Sequence, residues 1–316
     1  MRCIKCRQPA AVEVRRHHSA FCPEHFIEFF DNQVRRAIHD EKMFTPEDRI
    51  LVAVSGGKDS LALWDVLLRF GYQAAGLHIN LGIPGYSDLS QQKTEAFARD
   101  RGAELIIVDL EADYGVTVED FKRGSDRTPC SACGLSKRYI FNKVALEQGF
   151  DVVATGHNLD DEAATLLGNL IHWQDGYLMR QGPVLPASYP TLVKQVKPLY
   201  RLAEREIAAY AVLRGIDYVL DECPNAVGAR SLLYKEALNL IEQHSPGAKQ
   251  SLYLGFLQKG RKLLAAAEEK PQLVECERCG MPTTSEVCSF CRLMDRVKIR
   301  LRRARPEPVA PPPAGR

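Results

Sequence analysis

Two kinds of segment are missing from this sequence. No apolar run in its 316 residues approaches the roughly 20 consecutive residues that span a bilayer. The opening MRCIKCRQ has none of the apolar stretch of a secretory signal. A cytoplasmic chain with no membrane attachment is therefore expected. An excess of charge is missing too. The formal net charge is only +2, so any grip on nucleic acid must come from local basic patches. The Walker A pattern GxxxxGKS/T is absent, which excludes that phosphate loop. What remains is ordinary globular composition, 45% hydrophobic and 26% charged. That suffices for one α/β core with smaller attachments.

Cysteine, by contrast, is plentiful. A reducing cytoplasm argues against a disulfide framework for ten of them, and their spacing argues for metal. Cys3 and Cys6, followed by Cys22 and His25, offer two short knuckles. Cys276, Cys279, Cys288 and Cys291 offer two more. Each set supplies four soft or borderline ligands, which suits tetrahedral zinc. His17 and His18 rival His25 as the fourth N-terminal ligand. Neither segment has the apolar residues for its own core, so metal must supply folding free energy. Such sites are closed and structural.

Three cysteines remain: Cys130 and Cys133 in TPCSACGLSKR, and Cys223 in DECPNA. A closed zinc site or an ordinary cubane cluster wants a fourth ligand. Three thiolates could instead hold a [4Fe–4S] cluster with one iron free. The plainer alternative is a redox or structural CxxC and an unrelated buried Cys223.

Residues 1–45 read as the first metal knuckle and a helix bearing Ile27, Phe30, Val34 and Ile38 on one face. Residues 46–222 alternate strand and helix, beginning with ILVAV and continuing through YQAAGLHIN, ELIIVDL and DVVATGH. This rhythm specifies a doubly wound α/β fold with a parallel sheet. A long loop, 112–134, is expected to carry the central CxxC. DYVL reads as a late short strand. Residues 223–270 form a helical extension with Leu233, Ala237, Leu240 and Ile241 on one face. Residues 271–295 hold the second metal module. Residues 296–316 form a basic, then proline-rich tail expected to be disordered.

SGGKDS joins the first strand to its helix. Gly56 and Gly57 let the backbone approach a phosphate, and the helix N-terminus adds a favourable dipole. Ser55, Gly56, Gly57 and Ser60 are expected on phosphate. Asp59 could hold Mg²⁺ or move a proton; Lys58 is given less weight. SGGxDS is the PP-loop pattern of ATP pyrophosphatases, which adenylate a substrate oxygen and release pyrophosphate. In GHNLDDEA, Asp160 is nearer the pocket, while Asp161 and Glu162 are weighed equally as plain helix-start acids. Ile79, at the end of another strand, could read adenine through its backbone. Arg35, Arg36, Lys298, Arg300, Arg302 and Arg303 are candidate RNA contacts.

SGGKDS, CSACGLSKR, TGHNLDDEA, ECPNA and the terminal metal modules together resemble the PP-loop tRNA 2-thiolation enzymes. The group that thiolates uridine 54, or its 5-methyl form, is most similar. The resemblance covers Cys3 to about Arg292. It implies an adenine-nucleotide α-hydrolase fold, with a five-stranded parallel sheet flanked by two zinc fingers. It implies that Cys130, Cys133 and Cys223 hold a [4Fe–4S] cluster. Ala53, Asp59, Ile79, Thr155 and Asp160 would line the ATP pocket, and Lys137 would be catalytic. The implied reactants are ATP, Mg²⁺ and tRNA. Sulfur would come from a ubiquitin-like carrier with a C-terminal thiocarboxylate, and the enzyme would be a homodimer. Rival readings are thiolation of wobble uridine 34, a cytidine-32 thiolase, a non-catalytic zinc-dependent RNA-binding module, and ATP-dependent amidation of a small molecule.

Overall fold

The computed structural model describes residues 1–124, 126–221, 223–226, 230–264 and 272–304. The proline-rich tail and the AAAEEKP segment lie outside these residues.

The first strand of the main sheet forms from an unbroken apolar run, as a strand covered on both faces requires. In β3 (Arg49–Val54), Ile50, Val52 and Val54 enter one apolar cluster and Leu51 the other. This is the period-two alternation of a strand with two buried faces. Around it stand β4 (Gln73–Asn80), β5 (Leu105–Asp109), β6 (Val152–Thr155), the edge pair β7 (Val184–Leu185) and β8 (Lys194–Val196). The strand order is β5-β4-β3-β6-β8-β7, and only the β7–β8 pairing is antiparallel. The expected doubly wound parallel sheet is present, with one antiparallel edge strand beyond the five expected. The chain reverses winding between β3 and β6, so the crevice at their carboxyl ends is the natural ligand position.

The N-terminal hairpin, β1 (Val12–Val14) and β2 (Ser19–Phe21), leads into α1 (Pro23–Asp40). Phe26, Phe30, Val34 and Ile38 of α1 join the cluster that contains Ile50, Val52 and Trp64. The sheet helices are α2 (Lys58–Arg69), α3 (Tyr86–Arg101), the short α4 (Leu110–Tyr114) and α5 (Val118–Gly124), then α6 (Pro129–Glu147), α7 (Leu159–Ile171), α8 (Asp175–Arg180) and α9 (Glu204–Leu213). The extension contains α10 (Arg230–His244), α11 (Ala248–Gly255), a π-turn at Phe256–Gly260 and α12 (Arg261–Leu264). The second metal module is the small pair β9 (Val274–Glu275) and β10 (Pro282–Thr283) followed by α13 (Ser289–Ala304). No helix among the described residues is long and apolar enough to cross a membrane.

Four expectations change. The central CxxC is helical, because Thr128 caps α6 by accepting from the Ser131 N–H and Pro129 sits in its first turn. DYVL joins no ladder; the Val219 N–H instead donates to the Gly56 carbonyl at 3.0 Å. On α10, Leu233, Leu240 and Ile241 are exposed, while Leu238 is buried and Tyr234 packs against Gly168 of α7. The basic part of the tail is ordered through residue 304, because Leu293, Met294 and Val297 of α13 are buried in the second apolar cluster.

Candidate active site

The turn after β3 is tied by its own side chains. Ser60 Oγ accepts from the Ser55 N–H at 3.1 Å and donates to the Gly57 carbonyl at 3.0 Å. Gly56 has φ +74°, and a Cβ there would lie 2.6 Å from the Ser90 carbonyl oxygen. Only glycine fits that conformation and that gap. Gly57 caps α2, so the loop ends on the positive pole of a 12-residue helix. From the other side the turn after β6 closes in, since a Cβ on Gly156 would meet the Asp59 carbonyl carbon at 2.9 Å.

Three helices begin beside this loop, and charged groups meet there. Asn158 caps α7 through Oδ1, and its Nδ2 donates to Asp59 Oδ1 at 3.1 Å. Lys58 Nζ lies 3.1 Å from Asp59 Oδ2 and 2.7 Å from Glu204 Oε1. Lys235, from α10, lies 2.6 Å from Asp161 Oδ1 and 3.3 Å from Glu204 Oε2. Burial raises the Asp59 pKa, Lys58 opposes this, and Asp161 and Glu204 add to the rise. Burial would lower that of Lys235, but Asp161 and Glu204 outweigh it and push it well up. Asp59 offers a hard carboxylate oxygen beside the phosphate loop. That fits Mg²⁺ held mainly by substrate phosphates and water.

Lys58, Asp161 and Lys235 are thus more closely bound to the site than their sequence context indicates. Asp160 goes the other way. Its Oδ2 accepts from the Glu204 N–H at 2.8 Å, and its Oδ1 pairs with buried Lys249. The carboxylate faces the cleft between α7, α9 and α11, where Arg16, Glu206 and Glu242 also stand. It does not face the cavity at the strand ends. Thr155 pairs in register with Ala53, and its hydroxyl lies 2.8 Å from His157 Nδ1.

One cavity at the carboxyl ends of β3 and β4 brings together Ala53, Ser55, Ile79, Cys133, Lys137 and Cys223. His78, Tyr86 and Ser90 also line it, and the sequence carries no motif that marks them. Cys130 lies at the surface, its thiol donating to the Asn225 carbonyl at 2.9 Å. Burial raises the Cys130 pKa, Cys223 and Cys133 add to the rise, and Lys137 opposes it. The three thiols are therefore near enough to feel one another and Lys137. They do not close to single-ion spacing: among the described residues, only the two terminal sets bring their ligand atoms within 4.8 Å. A cubane spreads its thiolates over separate irons, so this wider trio fits a three-cysteine cluster better than one closed ion.

In the N-terminal set His25 completes a four-residue group that could hold a metal ion, with Nδ1 3.1 Å from Cys22 Sγ and 3.5 Å from Cys3 Sγ. His17 instead packs its ring against Phe29, and His18 adopts the left-handed turn after it. In the C-terminal set Cys279 and Cys288 approach to 3.7 Å. Burial opposes ionisation of Cys276, but the backbone N–H groups of Cys288, Arg278 and Cys279 bring its pKa down to about 6. Burial and the N–H groups of Cys22, Cys6 and Lys5 act likewise on Cys3, also bringing it to about 6. One thiol of each set is thus easily ionised, whereas the pKa of Cys6, Cys288 and Cys291 is raised; four crowded soft or borderline ligands of this kind fit zinc.

Residues 28–229 match the family model for a PP-loop domain. Residues 2–27 match that for the N-terminal LIM domain of the 2-thiouridine synthetase TtuA. A tRNA-5-methyluridine(54) 2-sulfurtransferase from Thermus thermophilus is 57% identical over 98% of this chain and 97% of its own. A protein of the same name from Pyrococcus horikoshii is 42% identical over 98% of this chain and 100% of its own. Among solved structures, the U34-tRNA thiolase NcsA from Methanococcus maripaludis with its [4Fe-4S] cluster superimposes with a TM-score of 0.80. That match is 28% identical and covers 93% of this chain and 96% of that one.

Proposed function

We propose, from the premise that this chain belongs to the PP-loop family and within it to the tRNA 2-thiolation enzymes, that it converts uridine 54 of tRNA, or its 5-methyl form, to the 2-thio derivative. The observation that carries this reading is one cavity in which Ser55, at the start of the phosphate loop, Lys137 and two of the three central cysteines meet.

A uridine C2 carbonyl is a poor electrophile. Its oxygen attacks the α-phosphorus of ATP, the α–β bridge breaks, and pyrophosphate leaves with the electron pair. The backbone N–H groups from Gly56 to Ser60 hold that leaving group. Lys58 stands beside them, and Asp59 takes part in holding Mg²⁺. Ala53 and Ile79 position the adenosine; Thr155 lies next to Ala53 on the neighbouring strand. Sulfur then adds at C2, and AMP departs with the former carbonyl oxygen. Cys130, Cys133 and Cys223 would hold a [4Fe–4S] cluster, which would supply the Lewis-acid iron that receives the incoming sulfur. Lys137 reaches both the nucleotide side and the thiol side of the cavity, where its charge steadies the adenylate phosphate. Two Zn²⁺ ions hold the terminal modules together. The ubiquitin-like sulfur carrier, the homodimer and the cytoplasmic setting belong to this same reading.

The test is an anaerobic reaction of the reconstituted protein with ATP, Mg²⁺, sulfide and unmodified tRNA, with thionucleosides mapped by mass spectrometry. 2-Thiouridine at position 54 is expected. The likeness to a U34 thiolase favours one second reading, and product at position 34 would replace the first with it. Cys223→Ser should lose cluster and product while still binding ATP. Asp59→Ala should keep the cluster and stop pyrophosphate release.

A further inference from the structure

We propose that Arg127, Arg292 and Arg296 form a clamp for a backbone phosphate of tRNA, built at the seam between the helix of Cys130 and the C-terminal metal module. This rests on the tRNA reading above and adds where the RNA is gripped.

α13 docks on α5 and α6 in one fixed way. Val297 is fully buried, with its Cα 2.8 Å from where a Cβ on Gly124 would stand. Phe290 stacks on Tyr139 of α6. Because Arg292 and Arg296 are four residues apart, they share a face of α13. That face meets the segment before α6, which carries Arg127. The result is a cavity of about 130 Å³ lined, among the described residues, by Arg127, Ser289, Arg292, Leu293 and Arg296, with Arg127 Nη1 3.4 Å from Ser131 Oγ.

Arg292 is already oriented, since it donates to Ser285 Oγ at 2.7 Å and Ser289 Oγ at 3.3 Å. Both acceptors are neutral hydroxyls, so they fix the fork without cancelling its charge. Among the described residues Arg296 reaches exposed Asp126, at 4.0 Å, and Arg300 holds that carboxylate more closely at 3.0 Å. Bringing the Arg292 and Arg296 guanidinium groups together on one face costs repulsion that an anion relieves, and their planar forks match phosphate oxygens. A compact cavity at the start of a helix suits one tetrahedral phosphodiester better than an extended acidic peptide. Arg127 precedes Cys130 by three residues, so the grip and the thiol cluster share one stretch of backbone. The basic residues prominent in the sequence are partly engaged elsewhere: Arg300 with Asp126, Arg36 with Asp40, and Arg35 over the Phe70 ring.

The test measures binding of unmodified tRNA to the full-length, cluster-loaded protein over a range of salt concentrations. It compares wild type with Arg292→Gln, Arg296→Gln and Arg292→Lys. Each glutamine variant should bind about tenfold more weakly, and its slope of log affinity against log salt should fall by about one. Arg292→Lys should keep most of the slope and lose part of the affinity. Zinc content and melting temperature, measured alongside, separate this from loss of the module. Unchanged affinity and slope in both glutamine variants would overturn the clamp. So would weakened binding of an acidic carrier protein with tRNA binding intact. Wild-type protein that binds tRNA through these arginines yet makes no 2-thiouridine would sink the proposed function and leave the clamp standing. Wild type that binds no tRNA would sink both.

Discussion

Tyr139 and Phe290 stack with ring centroids 3.9 Å apart and planes 11° from parallel. Tyr139 belongs to the helix whose first turn carries Cys130, and Phe290 lies between two cysteines of the C-terminal set. The metal module therefore rests directly on the helix that carries the central thiols. Phe290→Ala should cost about 3 kcal/mol of docking energy while the four cysteines keep their zinc. The expected result is normal zinc content, faster proteolysis between residues 272 and 288, and reduced thiolation. Wild-type protease resistance would show that the stacking holds nothing in place.

Gly56 and Gly71 separate backbone strain from steric clash. Both have positive φ, +74° and +81°. Only at Gly56 would a Cβ strike backbone, at Ser90; at Gly71 nothing lies within 4 Å. Gly71→Ala should cost about 1 kcal/mol of stability and leave ATP affinity alone. Gly56→Ala should cost at least as much and weaken ATP binding about tenfold or more, because the loop must move away from α3. Calorimetric titration with ATP and chemical unfolding of each variant read the two effects separately. Equal ATP affinities in the two variants would refute the close approach as the reason for Gly56.

Asp160 pairs with Lys249 in a nearly dry setting, each side chain only 7% exposed. Removing one member leaves the other charge buried without its counterion. Asp160→Ala should therefore destabilise the fold by about 3 kcal/mol, and adding Lys249→Met should recover much of the loss. ATP affinity should stay within a few-fold of wild type, because this carboxylate faces the α9 and α11 side. A large loss of ATP affinity in the stabilised double variant would return Asp160 to the nucleotide pocket.

Legibility in the sequence followed how local each cause is. ILVAV followed by SGGKDS reads directly, because an apolar run, two glycines and an amphipathic helix are all adjacent. The terminal metal sets read equally well, since their ligands lie on short knuckles. Asp160, Asp161 and Glu162 look alike at a helix start. What distinguishes Asp160 is a backbone N–H 44 residues away and a lysine 89 residues away. Lys235 was unreadable for the same reason, because its partners arrive from α7 and α9. Thr128 and Pro129 carry a helix-start signal directly before the CxxC. The apolar stripe of α13 was masked by its basic residues. Tyr234 and Leu238, rather than Leu233 and Leu240, face inward on α10 because α7 offers Gly168 as a gap.

His78 gives a pH test with a definite sign. The ring is buried, and its Nδ1 lies 3.1 Å from the Val54 carbonyl oxygen; as a neutral tautomer it donates there. Among the described residues its Nε2 has no hydrogen-bond partner. Burial drags the pKa from 6.5 to about 4; the Val54 carbonyl opposes this, and Lys137 adds to the lowering. The unfolded chain thus binds a proton that the folded one refuses. The stabilising contribution is complete above about pH 6.5 and is lost as pH falls from there towards 4, amounting to about 3 kcal/mol over that window. Urea unfolding at a series of pH values should show this loss in wild type and a flatter dependence in His78→Gln. Any loss of metal from the terminal cysteine sets in acid would affect both proteins alike, so the difference between their slopes isolates the imidazole. Parallel slopes would mean that His78 takes up its proton as readily folded as unfolded, and that burial does not control it.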